Sequence, residues 1–158
     1  MNRLNQWLTL LANFGVLVGI GFLAIEIRQN TDMMKAQIRD SMSEKQMLGS
    51  EWMGTNEYAA DIYVRGVAGL LEPGTKEYAS FSFLLAGIWR EWENSHYQYE
   101  RGLYESSEFE PRIGRWRYNM RSVAVRELWI QTKGTYSPAF RERLDEIVRM
   151  IEEEETDT

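Results

Sequence analysis

The chain has 158 residues, no cysteine and a single histidine, His96, with 24 acidic against 18 basic side chains. The missing thiols exclude a disulfide scaffold, a thiolate zinc site and a cysteine nucleophile, and a lone imidazole excludes a one-chain metal centre that needs two. With 44% hydrophobic and 13% aromatic residues the chain can bury the core of one domain; five of its negatives are Glu152 to Glu155 and Asp157, and without them 19 acidic residues face 18 basic ones, a neutral body with no global attraction for nucleic acid.

The first element is the most pronounced. From Trp7 to Ile25 nineteen residues carry no charge, between Arg3 on one side and Glu26 and Arg28 on the other. At about 1.5 Å per helical residue this run crosses a hydrocarbon core of about 30 Å, and Trp7 suits the boundary with headgroups. Thr9 and Asn13 make the run more polar than a bare anchor requires. A cleaved leader fits less well, because the nearest small-x-small sequence, Gly19-Ile20-Gly21, lies inside the apolar run. A buried soluble helix would show a polar face, and this run has almost none. We therefore expect a membrane anchor over residues 1–28. Arg28, Lys35, Arg39 and Lys45 follow it whereas Arg3 precedes it, so the positive-inside rule puts the remainder of the chain in the cytoplasm.

Within the anchor, Ala12, Gly15 and Gly19 recur at spacings of three and four, and Gly15 to Gly19 is a Gly-x-x-x-Gly pair that lets a second backbone approach closely in lipid. At about 100° per residue, Leu8, Phe22 and Glu26 project to the same side, which sets Glu26 at the rim of any helix–helix seam. In a ring of copies, repeated Glu26 carboxylates would favour cations.

No proline occurs before Pro73, and Ile27, Thr31, Met34, Ile38 and Met42 share one side, so the helix is expected to continue unbroken to about Met47 with this stripe against the body. Met33, Met34, Met42, Met47 and Met53 read as adaptable core, with a promiscuous binding groove as the alternative. A second helix is expected from near Asn56 to Leu71, ended by Glu72-Pro73-Gly74. A third starts at a Thr75 cap and runs to about Leu103. Its uncharged stretch from Tyr78 to Trp89 is too short to span a membrane and suits the centre of a bundle. Ser107 followed by Glu110 reads as a capping box opening a fourth helix, with Pro111 in its first turns, to about Thr132. Lys133-Gly134-Thr135-Tyr136 turns the chain, and Ser137-Pro138 starts a last helix whose stripe is Phe140, Leu144, Ile147, Val148 and Ile151. The acidic segment 151–158 reads as a solvated, frayed helix end. The sequence offers no strand alternation, repeat or Gly-rich phosphate loop.

Two clusters invite a chemical reading. Glu93-x-x-His96, with Glu100 a turn beyond, places carboxylate and imidazole on one helical face, the spacing of di-iron bundles. Those bundles use two such motifs, so a site here would need a symmetric partner or an all-carboxylate second half; a half-exposed histidine beside ion-pairing glutamates is the plainer reading. Ser95 adjoins His96 in sequence and cannot share its face as a nucleophile. The other cluster is Arg112, Arg115, Arg117, Arg121 and Arg126 among Trp116, Tyr118 and Trp129. Arginine and aromatics are what interfaces favour, so Arg112, Arg115, Trp116, Arg117 and Arg121 form a candidate partner surface. The alternative, favoured because a neutral body offers phosphate no net attraction, is that these arginines pair with Glu91, Glu93, Glu100 and Glu105 of the preceding helix.

The order of an N-terminal membrane helix running into Glu-Ile-Arg-Gln-Asn-Thr (Glu26 to Thr31) resembles a widespread group of uncharacterised bacterial single-pass membrane proteins with a helical C-terminal domain. The resemblance extends through Glu93-Asn94, Tyr97-Gln98, Gly102, Trp116 and Phe140-Arg141. It implies a bacterial inner-membrane anchor and a small helical body, and it assigns no activity.

The sequence thus predicts an all-α chain: an anchor over 1–28, a cytoplasmic helical domain over 29–150 and an acidic tail over 151–158. The expected partners are the lipid bilayer and either further copies of the chain or a larger membrane complex, with no nucleic acid, no small-molecule substrate, no metal and no cofactor. The leading function is non-enzymatic, an assembly or accessory protein packed through Ala12, Gly15 and Gly19, with Glu26 and Arg28 at the membrane boundary. A homo-oligomeric pore and a membrane-tethered metalloenzyme are the alternatives.

Overall fold

The structure is a computed structural model, and it describes residues 3–156; Asp157, at the end of the acidic segment, lies outside the described residues. The chain is all-α. Six helices follow one another: α1 (Arg3–Thr55), α2 (Glu57–Val67), α3 (Lys76–Glu100), α4 (Ser106–Met120), α5 (Val123–Thr132) and α6 (Pro138–Thr156), with a single 3-10 turn at Lys133–Thr135 between the last two.

α1 has 53 residues, so it is about 80 Å long at 1.5 Å per residue. It extends beyond Met47 because nothing before Asn56 stops it: Asn56 takes an extended backbone and its side-chain oxygen accepts the Ala59 amide at 3.0 Å, capping α2. The body meets only the second half of α1. Thr31 and Ile38 are half-buried and Met42 is fully buried, while Ile27 and Met34 stay exposed. Docking therefore closes at Met42, whose sulfur lies 3.9 Å from Ser95 Oγ, with Arg39 pairing Glu108 at 2.7 Å nearby. The methionine reading is corrected accordingly. Met42 is core and Met53 half-buried, but Met33, Met34 and Met47 face outward.

The core of the body is aromatic. α3 runs through its centre, burying Phe81, Leu85, Trp89, Trp92 and His96 along one side. Trp92 stacks on Trp116 (5.2 Å, 16°) and Tyr99 on Phe109 (4.1 Å, 10°). Phe140 of α6 sits among Trp116, Trp129 and Tyr136 at 5.7–5.8 Å. Fully burying a side chain of this size is worth about 1.5–3 kcal/mol, and the α6 stripe from Phe140 to Ile151 is buried as its spacing predicts. α2 comes close to α3 because Gly66 has no side chain: a Cβ there would lie 2.3 Å from the Phe81 ring.

Several boundaries differ from the sequence reading. α3 ends at Glu100, where Gly102 takes a left-handed φ of 68°. α4 begins at Ser106 with no side-chain cap, so the Ser107–Glu110 box is not used. The expected single helix from Ser107 to Thr132 is two, α4 and α5. Ser122 caps α5 through the Val125 amide and donates to the Val67 carbonyl at 2.6 Å. The buried Arg126 donates to the Met120 and Arg121 carbonyls, both at 3.1 Å, satisfying groups that end α4.

Candidate functional site

The fold leaves the apolar half of α1 open. Every residue from Asn5 to Asn30 is exposed, including Trp7, Phe14, Leu17 and Phe22. This stretch contains the one helical segment among the described residues that is long and apolar enough to cross a membrane, and none of it is covered by the rest of the chain. Ala12, Gly15 and Gly19 lie on it with no intramolecular neighbour: a Cβ at Gly15 or Gly19 would meet nothing within 4 Å. Thr9, the polar interruption, donates its hydroxyl to the Asn5 carbonyl one turn back at 2.9 Å, so the hydroxyl has a partner without water. Glu26 and Arg28 are exposed just beyond the run.

The arginines of α4 divide. Arg112 donates to Glu91 of α3, as the pairing alternative anticipates, and the Gln46 carboxamide of α1 lies against it. Arg117 reaches instead to Glu154 of α6, and Arg126 forms a two-pronged pair with Glu155, at 3.1 and 2.9 Å. The acidic segment, with Ile151 buried and Glu152 to Thr156 solvent-facing, is thus helical through Thr156, and two of its carboxylates clamp α4 and α5. Trp116 is no part of a partner surface. It is 1% exposed and stacked on Trp92, since the aromatic side of α4 packs inward. Of the five candidate surface residues, Arg115 and Arg121 are the exposed ones.

His96 is buried, 7% exposed, not half-exposed as its charged neighbours suggested. Its ring lies between Phe109 and Phe140 at 6.1 and 6.2 Å, with Nε2 3.9 Å from a Glu100 oxygen. Burial pushes its pKa below the ordinary 6.5; Glu100 opposes that shift and Arg143 adds to it. Glu93 does not join it. Its carboxylate accepts the Ser137 amide at 2.7 Å, capping α6, and pairs with Arg90. Burial disfavours the Glu93 charge, but the Ser137 and Arg90 bonds outweigh it and hold the pKa below 4.5. The Glu-x-x-His spacing is therefore split between two packing tasks. Among the described residues no three acidic or imidazole side chains come together where a metal ion could sit.

Met53, one of the five methionines of α1, lines a groove that local spacing does not place. Between the end of α1 and the middle of α3 lies a groove of ≈ 710 Å³, lined by Trp52, Met53, Ile88 and Trp92 among others. It is assembled from positions some 40 residues apart, so no local spacing signals it.

The chain matches no protein-family model, no curated protein and no solved structure. Its function rests on the geometry of its own residues.

Proposed function

We propose that this chain is a membrane-anchored assembly or accessory protein that self-associates or docks onto a larger membrane complex, without catalysis. The observation that carries the reading is the uncovered apolar half of α1. The nineteen residues from Trp7 to Ile25, about 28 Å of helix at 1.5 Å per residue, with almost no polar face and no neighbour in their own chain, are stable only against lipid or another apolar helix. Ala12, Gly15 and Gly19 supply a flat strip for a second backbone, the contact that drives association in a bilayer. The excess of Lys and Arg after the run supports a cytoplasmic body, and the Glu26–Thr31 motif supports an origin among the bacterial inner-membrane proteins that the chain resembles.

The test is gentle extraction from native membranes followed by native mass spectrometry, with Gly15→Leu and Gly19→Leu as controls. A homo-oligomer lost in both variants supports self-assembly, and a stoichiometric foreign chain supports an accessory subunit. A monomer with no copurifying chain, unchanged by either substitution, overturns the reading. If a homo-oligomer is found, conductance of the reconstituted protein and its response to Glu26→Gln separates a pore from a scaffold.

A further inference from the structure

The groove between α1 and α3 has the size and chemistry of a ligand site. Its ≈ 710 Å³ falls within the roughly 300–1,000 Å³ typical of small-molecule pockets. Trp52 and Met53 form one wall, and Ile88 and Trp92 the other. Three of the polar side chains that line it, Tyr63, Glu91 and Asn119, are already engaged. The Tyr63 hydroxyl donates to Asn119, and the Glu91 carboxylate is taken by Arg112 and Ser95. A ligand lying there meets no unsatisfied donor or acceptor from these groups, so its body is apolar.

Two charges remain. Lys45 and Arg115 also line the groove, and neither forms an ion pair among the described residues, whereas the groove's one carboxylate is neutralised by Arg112. The edge is therefore net positive, and a cationic or neutral polar ligand would meet like charge or unpaired apolar wall.

Glycine keeps the space open from both sides. Gly49 of α1 and Gly87 of α3 line the groove in helix interiors, and a Cβ at either would meet nothing within 4 Å. Each costs about 1 kcal/mol of helix stability relative to alanine, and at neither position does a close neighbour or a positive φ require it.

We propose that the groove between α1 and α3 binds one anionic amphiphile, with its apolar chain between Trp52 and Trp92 and its carboxylate or phosphate head on the cationic rim of Lys45 and Arg115. The site does not depend on where the first half of α1 resides, so its failure leaves the assembly reading standing and the reverse is equally true.

The full chain in phosphatidylcholine nanodiscs is tested by equilibrium dialysis against dodecanoate, dodecyl phosphate, dodecanol and dodecyltrimethylammonium, with uptake by empty discs subtracted. The expected result is saturable binding of one anion per chain, about tenfold or more tighter than dodecanol, as a charge-assisted pair would give. Lys45→Gln and Arg115→Gln each weaken the anion and leave dodecanol unchanged. Gly87→Leu fills the groove and abolishes binding while the thermal melt stays at or above that of the parent; Gly49→Leu repeats the test from the opposite wall should Gly87→Leu fail to fold. Tighter dodecanoate assigns a free carboxylate and tighter dodecyl phosphate a monoacyl phosphate, and either sustains the site. No saturable binding, binding indifferent to head charge, or binding that survives a folded groove-filling variant overturns it.

Discussion

The two halves of this molecule handle apolar side chains in opposite ways. Between Trp7 and Ile25 every large hydrophobic side chain is exposed, whereas α3 buries Phe81, Leu85, Trp89 and Trp92 in one continuous file. Both stretches are helical and both are rich in apolar residues. The difference lies in arrangement, because the first run is apolar all round and α3 interleaves its core file with Arg90, Glu91, Glu93 and Glu100. The helix with a polar face is covered inside this chain and the one without it is left uncovered, and helices apolar all round are those that a large core or a membrane encloses.

The contrast breaks most sharply at the aromatic core. Trp129 is fully buried against Trp89 and Phe140, and its indole donates to Asp145 at 2.8 Å. Trp129→Ala is expected to cost about 3–5 kcal/mol, read from a urea melt followed by circular dichroism, and to leave membrane association untouched. Leu17→Arg should do the reverse. A charge at the centre of a membrane-spanning helix costs about 2.5–3.5 kcal/mol of insertion, so, with α1 as the proposed anchor, the variant is expected to move into the aqueous fraction on membrane fractionation while the body melts as before.

Smaller effects sharpen the picture of the body. Arg126→Met strips the donor from the Met120 and Arg121 carbonyls and should destabilise by about 1–3 kcal/mol in the same urea melt. Were α4 and α5 one continuous helix, those carbonyls would have helical partners and the substitution would be close to neutral. The smallest effect belongs to His96, whose pKa in the fold lies below 6.5 because of burial. The unfolded chain then binds the proton more readily, so stability is full above that value and declines as pH falls through it toward the lower folded pKa. Thermal melts at pH 7.5 and 5.5 should show this decline in the parent and a shallower one in His96→Gln.

What was legible in the sequence is what neighbouring residues decide. The Thr75 cap, the Ser137-Pro138 start and the α6 stripe are set within a few positions of themselves, and the structure keeps each of them. What was not legible depends on distant partners. The α4–α5 break is held by Arg126, whose carboxylate partner is Glu155 on α6, so a continuous helix was the natural local expectation. Trp116 lay in an arginine-rich run that resembles an interface, yet its stacking partner Trp92 is on α3. The methionines of α1 followed helical spacing, but the body reaches only as far as Met42 and Met53 bury. Among the candidate site residues, Ala12, Gly15 and Gly19 stand open on the surface of α1, and the groove beside Trp52 emerges only when α1 and α3 are set side by side.

Because the chain has no cysteine, single thiols can map its surroundings directly. Leu17→Cys and Glu51→Cys are each exposed to a membrane-impermeant maleimide in sealed native vesicles and again after detergent. Both positions face outward in the fold, so any difference between them comes from outside the chain. The thiol at 51 is expected to react from the cytoplasmic side alone, and the thiol at 17 to stay unreactive from either side until detergent is added. Ready labelling at 17 in intact vesicles would contradict membrane insertion of α1.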